Sequence, residues 1–217
     1  MQKSFNLIIP GILEKDWEEI EKKIELVLPF AKAIHIDIID GKFAPNSTFM
    51  DPGPFKKYTK DIQFELHMMV EEPINFLKPW ADAGFVRFIG QIEKMSDQIK
   101  FVAKAQLLGE VGLAIDGPTE IEKIEAPFDD LDVILFMTIK AGASGQQFVP
   151  ENLEKVRKIR GKTSIPIEVD GGINDPTIIQ AKECGVNRFV TTSFLFNGDP
   201  SENYRKLKAL IDWEVII

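Results

Sequence analysis

A single (β/α)8 barrel is the fold class this sequence predicts, and three observations carry the prediction. Short apolar runs alternate with longer amphipathic stretches from one end of the 217-residue chain to the other. The runs are not strictly alternating apolar and polar, which marks strands covered on both faces and hence a parallel sheet. His35 and Asp37, His67, and Asp170 fall at or near the ends of three separate strands. A barrel gathers such ends on one face, whereas a doubly wound sheet would concentrate ligand residues at one switch point. The length suits one well-buried core, so residues 1–217 are expected to form one domain.

Taken in order, the strands are expected near 5–9, 33–38, 63–68, 86–90, 111–115, 132–138, 165–169 and 188–192. Helices are expected near 13–28, 52–59, 73–83, 95–108, 119–125, 150–160, 174–184 and 200–211. The apolar stretch at the start of the chain is too short for a signal peptide and reads as the first strand. Pro73 follows two glutamates at a helix start, and Asn174 can cap the helix after it. Gly84, Gly109 and Gly185 suit positions just past helix C-termini. Lysines and glutamates near 14–24 and 151–162 read as solvated helix faces with i,i+4 pairing.

With 44% hydrophobic and 28% charged residues, the composition is that of an ordinary soluble globular protein. No run of 18 apolar residues is present, so no membrane span is expected. A net charge of −8 argues against nucleic acid, because phosphate backbones need clustered Lys and Arg. It leaves room for a small phosphorylated substrate, since a few backbone N–H groups can hold one phosphate locally. Cys184 is the only cysteine, which excludes an intrachain disulfide and fits a reducing cytoplasm. At a helix C-terminus it reads as a packed small residue rather than a nucleophile.

The run His35-Ile36-Asp37 places an imidazole and a carboxylate on one strand face, because residues i and i+2 point the same way. His67 lies in Phe64-Glu65-Leu66-His67-Met68-Met69-Val70, and Asp170 closes Ile165-Pro166-Ile167-Glu168-Val169-Asp170. Singly, each histidine reads as a satisfied strand-end residue, and Asp170 before Gly171-Gly172 as a turn residue. Two imidazoles and two carboxylates at separate strand ends together form a ligand set for one divalent metal. Zinc, iron, manganese and cobalt all suit it. Each histidine needs a partner for its other ring nitrogen, and Gln91 and Glu65 are the candidates. Asp40-Gly41 reads as a tight turn.

Four stretches resemble one family. His35-Ile36-Asp37-Ile38-Ile39-Asp40-Gly41-Lys42-Phe43-Ala44-Pro45-Asn46 is similar to the second-strand signature of the ribulose-phosphate 3-epimerases. Glu65-Leu66-His67-Met68-Met69-Val70 is similar to their third-strand motif. The stretch from Met137 to Pro150 resembles their sixth-strand phosphate loop, and Glu168-Val169-Asp170-Gly171-Gly172-Ile173-Asn174 their seventh-strand motif. The likeness runs in order from about residue 7 to 198.

The resemblance implies a barrel of the ribulose-phosphate-binding type and an isomerase of pentose phosphate metabolism. It would interconvert D-ribulose 5-phosphate and D-xylulose 5-phosphate through an enediolate. One divalent ion would be held by His35, Asp37, His67 and Asp170, with Asp37 and Asp170 as the acid/base pair. Inverting a carbon beside a ketone needs proton removal on one face and return on the other, which calls for two carboxyl groups. The sugar and its phosphate would meet Gly11, Met69, Met137, Gly142, Ser144, Gly145, Gln146, Gly171, Gly172, Thr192 and Ser193. Met69 and Met137 also read as core residues, because methionine fills gaps. Family members often pair or form rings, so a homo-oligomer is expected.

Several positions depart from the family pattern. Gly11 replaces a serine after Pro10, Ile39 a methionine, and Gln91 a histidine; Asp116-Gly117 stands for Asn-Pro. Ala141-Gly142-Ala143-Ser144-Gly145 stands for Pro-Gly-Phe-Gly-Gly, and Thr192-Ser193 for Gly-Ser. Side chains at Ser144 or Thr192 would crowd a backbone that glycine leaves open, and Asp116, if turned into the pocket, would repel phosphate. Two alternatives therefore stand beside the leading reading. One is a 3-epimerase for another ketose or ketose phosphate, such as a hexulose 6-phosphate; the other is a non-catalytic sugar-phosphate-binding barrel.

Overall fold

In the computed structural model, which describes residues 6–212, eight parallel strands close into a barrel in chain order. They are β1 (Leu7–Ile12), β2 (Ala33–Ile39), β3 (Gln63–Met69), β4 (Arg87–Gln91), β5 (Glu110–Ile115), β6 (Val133–Met137), β7 (Ile167–Asp170) and β8 (Arg188–Thr191). Phe5, the expected start of the first strand, lies outside the described residues, and β1 runs on to Ile12 because Gly11 and Ile12 pair with His35 and Ile36. Six α-helices return the chain: α1 (Trp17–Val27), α2 (Leu77–Asp82), α3 (Gln98–Gln106), α4 (Leu153–Arg160), α5 (Asp175–Glu183) and α6 (Pro200–Asp212).

Local chemistry explains several helix boundaries. In α1, Ile20, Ile24 and Val27 are the buried positions, four and three residues apart, which is one helical stripe. Asn174 caps α5 as expected, accepting from the Thr177 amide while Thr177 Oγ1 accepts from the Asn174 amide. Pro73 opens a 3₁₀ turn over Pro73–Asn75 that leads into α2.

Two expected helices are absent. After β2 the chain forms only a 3₁₀ turn over Gly53–Lys57. Pro52 and Pro54 remove two amide donors, and Gly53 between them adds backbone entropy that a helix would have to overcome. The segment near 119–125 also shortens to a 3₁₀ turn, Ile121–Lys123. Ile121 is buried and Ile124 packs against the core, so the segment docks as a single turn. Buried Gln98 of α3 pins the turn, donating to the Lys123 carbonyl at 2.8 Å and accepting from the Glu125 amide at 2.9 Å.

The missing helix after β2 leaves a gap that aromatic rings fill. Phe55, fully buried, meets Trp17 edge-on at 5.0 Å between ring centres, Phe85 at 5.3 Å and Phe64 at 5.7 Å. Such pairs add stabilisation beyond area burial.

Strand alternation sorts residues between two environments. Along β2, Ile34, Ile36 and Ile38 pack outward under the helices, whereas Ala33 and Ile39 belong to apolar clusters inside the barrel. His35 and Asp37 share that inner face. Register then sets the neighbours: Asp37 is the direct partner of His67, His35 of Glu65, and Met137 of Asp170. The interior is thus two apolar clusters flanking a layer of ionisable groups.

Truncating Phe55→Ala should cost about 3–5 kcal/mol, the usual range for a buried aromatic. A shift of the urea midpoint measures it; an unmoved midpoint would show that the ring merely covers a loop.

Candidate active site

Three strands, β2, β3 and β7, converge on one cluster. One ligand atom each from His35, Asp37, His67 and Asp170 lies within 4.8 Å of all the others, and all four residues are buried. His67 Nδ1 sits 2.8 Å from Asp37 Oδ1 and 3.7 Å from Asp170 Oδ2. His35 Nε2 is 3.3 Å from the same Asp37 oxygen but makes no hydrogen bond. Thr48 anchors Asp37 from below by donating to its carbonyl at 3.2 Å.

The outer nitrogens are held by hydrogen bonds. His35 Nδ1 meets Glu65 Oε1 at 2.8 Å, and His67 Nε2 meets the amide oxygen of Gln91 at 2.8 Å. Both oxygens are acceptors, so each ring carries its proton on the outer nitrogen and turns a lone pair toward the carboxylates. A nitrogen lone pair and a carboxylate oxygen 2.8 Å apart repel unless a cation or an added proton lies between them. The donor set and the unpartnered His35 Nε2 therefore fit a divalent ion. Without one, protons compensate. Burial opposes protonation of His35 and His67, but the Asp37 carboxylate prevails and raises both, His35 strongly.

The two aspartates have opposite environments. Burial penalises the charge on Asp37, yet His35 and His67 hold it well below the usual carboxylate range. Asp170 is pushed up to about 7, first by burial and then by the Asp37 charge. Without a metal, a carboxylate and a carboxyl group that titrates at about 7 thus face a shared cavity.

Asp37 and Asp170 form part of that cavity's wall, with Met69 and Met137 beside them. Gly142, Ser144 and Gly145 line it from the loop after β6, Gly171 and Gly172 from β7, and Thr192 and Ser193 from β8. Gly171 has φ +113°, and a Cβ there would lie 2.2 Å from Ile139 Cγ1, so only glycine fits. Among the described residues no lysine or arginine lines this cavity, which leaves a phosphate to neutral donors there. Its free space is about 20 Å³, room for one water. Ala44 and Asn46 close the top against Gly142, with Asn46 Nδ2 3.4 Å from the Gly142 carbonyl.

Two expected residues are not on this wall. Gln146 turns into its own loop, donating to the carbonyls of Lys140 and Ala143. Gly11 lies beneath Thr192: a Cβ on it would approach Thr192 Oγ1 to 2.4 Å. The glycine therefore makes the space that the threonine side chain occupies. Asp116 faces away from the cavity, accepting from the amides of Gly117 at 2.9 Å and Ala141 at 3.2 Å, and so tethers the start of the β6 loop. Sequence reasoning missed Glu168 as a neighbour of His35; the i, i+2 spacing from Asp170 was the available signal. Leu13, Ile139 and Ile173, which also line the cavity, carried no signal beyond hydrophobicity.

Comparison with known proteins agrees with this geometry. The sequence profile described as the ribulose-phosphate 3 epimerase family matches residues 7–196. A ribulose-phosphate 3-epimerase of Mycobacterium bovis is 32% identical over 200 residues, covering 89% of this chain and 87% of the relative. One from Schizosaccharomyces pombe is 33% identical over 205 residues, covering 90% and 89%. Among solved structures, a 3-keto-L-gulonate-6-phosphate decarboxylase from Vibrio cholerae superposes with a TM-score of 0.74 at 15% identity, covering 97% of this chain and all of that one. At that identity the likeness speaks for the fold alone.

Two outcomes follow from the site. The Asp37 carboxylate raises both histidines when no metal is bound, so an entering ion must compete with protons and its affinity must climb with pH. Calorimetry in buffers of different ionisation heat should count protons released; zero released would refute the ligand geometry. Gly11→Ser should collide with Thr192 and lower kcat/KM, and adding Thr192→Gly should restore it. The double-mutant coupling should reach about 0.5–3 kcal/mol; additive effects would remove the interlock.

Proposed function

This chain belongs to the ribulose-phosphate 3-epimerase family, an isomerase family, and from that premise we propose the substrate, metal site and residue roles. The substrate pair is D-ribulose 5-phosphate and D-xylulose 5-phosphate. One divalent ion is held by His35, Asp37, His67 and Asp170. The observation that carries the mechanism is geometric: Asp37 and Asp170, from β2 and β7, both line one cavity beside the two buried imidazoles.

Asp37 takes the proton from C3 on one face, and Asp170 delivers its proton to the other face of the resulting enediolate. The two exchange roles for the reverse reaction. His35, Asp37, His67 and Asp170 would hold a divalent ion, which would supply positive charge to offset the negative charge of the enediolate. Met69 and Met137 exclude water around the reacting carbon. Backbone amides of the glycine-rich loops and the hydroxyls of Ser144, Thr192 and Ser193 receive the phosphate. The 20 Å³ interior is too small for a ketose phosphate, so loops 43–46 and 142–145 must part to admit it.

Zinc, iron, manganese and cobalt all suit the donors. A cytoplasmic location belongs to the same proposal. No helix among the described residues is long and apolar enough to cross a membrane, and a rice relative, 32% identical over 216 residues, is named a cytoplasmic isoform. A second substrate reading, another ketose phosphate, is favoured by the paired change at Gly11 and Thr192, which reshapes the wall beside the phosphate loops. A panel of pentulose and hexulose phosphates decides between them.

Asp37→Asn and Asp170→Asn should each lower kcat by about 10²–10⁴-fold. The check is a metal-reconstituted assay with a chelated control. Product formed in D2O should carry solvent deuterium at C3; full activity in either variant would end the two-base mechanism.

A further inference from the structure

Beneath the catalytic cluster lies a second charged group that the reaction does not use. Arg188 of β8 is nearly buried, as are Glu65 of β3 and Glu168 of β7. Arg188 Nε donates to Glu168 Oε2 at 2.6 Å, and its terminal nitrogen donates to Glu65 Oε2. Arg87 donates to the same Glu65 oxygen at 2.9 Å. The remaining oxygens face His35 Nδ1: Glu65 Oε1 at 2.8 Å and Glu168 Oε1 at 3.4 Å, the latter with no other partner. One guanidinium therefore ties two strands that are separated in the barrel by β8, β1 and β2, and the tie meets at a single imidazole nitrogen.

We propose that Arg188 is a positioning residue for the metal centre: by clamping Glu65 and Glu168 as paired acceptors beneath His35, it fixes the ring with Nδ1 protonated and Nε2 aimed at the cluster. The argument rests on donor and acceptor roles. A carboxylate bridged to arginine is acceptor-only, so His35 Nδ1 must donate to it, which leaves Nε2 as the nitrogen open to a metal. Without the guanidinium, two glutamates would face one imidazole inside the barrel with only Arg87 on Glu65 and no cation on Glu168. An unpaired buried charge is strongly disfavoured, so the glutamates would leave the positions that the guanidinium fixes, and that movement releases the ring. Outer partners of metal-bound histidines commonly matter by 10–100-fold in metal affinity.

This inference rests on the metal reading above, and its test separates the two. Cobalt(II) affinity is measured on full-length protein by competition with a chromophoric chelator, and the cobalt absorption band reports the ligand field. Wild type should bind one equivalent; Arg188→Met should bind about 10–100-fold more weakly with an altered band, and Arg188→Lys should recover part of the loss. Circular dichroism confirms that each variant is folded. If Arg188→Met does not fold, Glu168→Gln keeps the shape and removes one charge, and it should weaken binding in the same direction. Wild-type affinity and band in a folded Arg188→Met, or in Glu168→Gln where that variant serves instead, would overturn the positioning role alone. A wild-type chain that binds no cobalt would overturn the metal reading and this inference with it.

Discussion

Four carboxyl groups and two imidazoles are held inside a closed barrel at 6% exposure or less: Asp37, Glu65, Glu168, Asp170, His35 and His67. Charge in such a place costs several kcal/mol per ion unless a partner compensates it, and that constraint organises the interior. The glutamates are met by Arg188, with Arg87 joining at Glu65. Asp37 is met by both histidines. Asp170 has its nearest cation 3.7 Å away at His67 and an anion close by. It is consequently the group that keeps its proton up to about pH 7. The acid and the base of the proposed mechanism are thus products of unequal compensation between two residues of the same type.

The same accounting separates the two levels of the barrel interior. The lower level, built from Glu65, Glu168, Arg87 and Arg188, is a layer of ion pairs that does not line the cavity. The upper level leaves His35 Nε2 unpartnered and turns two carboxyl groups into the cavity. Partial satisfaction on rigid strands is what a ligand or a proton in transit can use, and the layer below keeps those strands rigid. The loops above are adjustable by comparison. Thr192 stands over Gly11, and Asp116 clasps the Ala141 amide, so altered residues around the phosphate end are accommodated by their neighbours.

Much of this was legible before any coordinates. The eight strands follow from buried apolar runs, and six helices from amphipathic stripes and caps such as Asn174. The segments near 52–59 and 119–125 read as helices and are not. In the first, Pro52 and Pro54 outweigh the pattern; in the second, Gln98, distant in sequence, fixes the segment as a turn. The cluster was legible because His35 and Asp37 share a strand face and because four such residues at strand ends are hard to explain otherwise. The direction of Asp116 was not, since a carboxylate after a strand can turn into a cavity or onto a neighbouring amide with equal ease.

The sequence by itself determined what period and local chemistry can encode: which segments are strands, which face of each turns inward, and which residues are capable of binding metal or moving a proton. Only the tertiary structure decided how those groups differ from one another. Arg188 lies 123 residues from Glu65 along the chain and donates to it in the barrel; no spacing rule links them. The identity of the acid, the orientation of each imidazole and the vacancy at Gly11 filled by Thr192 all depend on distances between strands. Pairwise electrostatics and steric exclusion act through space, and the barrel's register is what converts sequence separation into that distance.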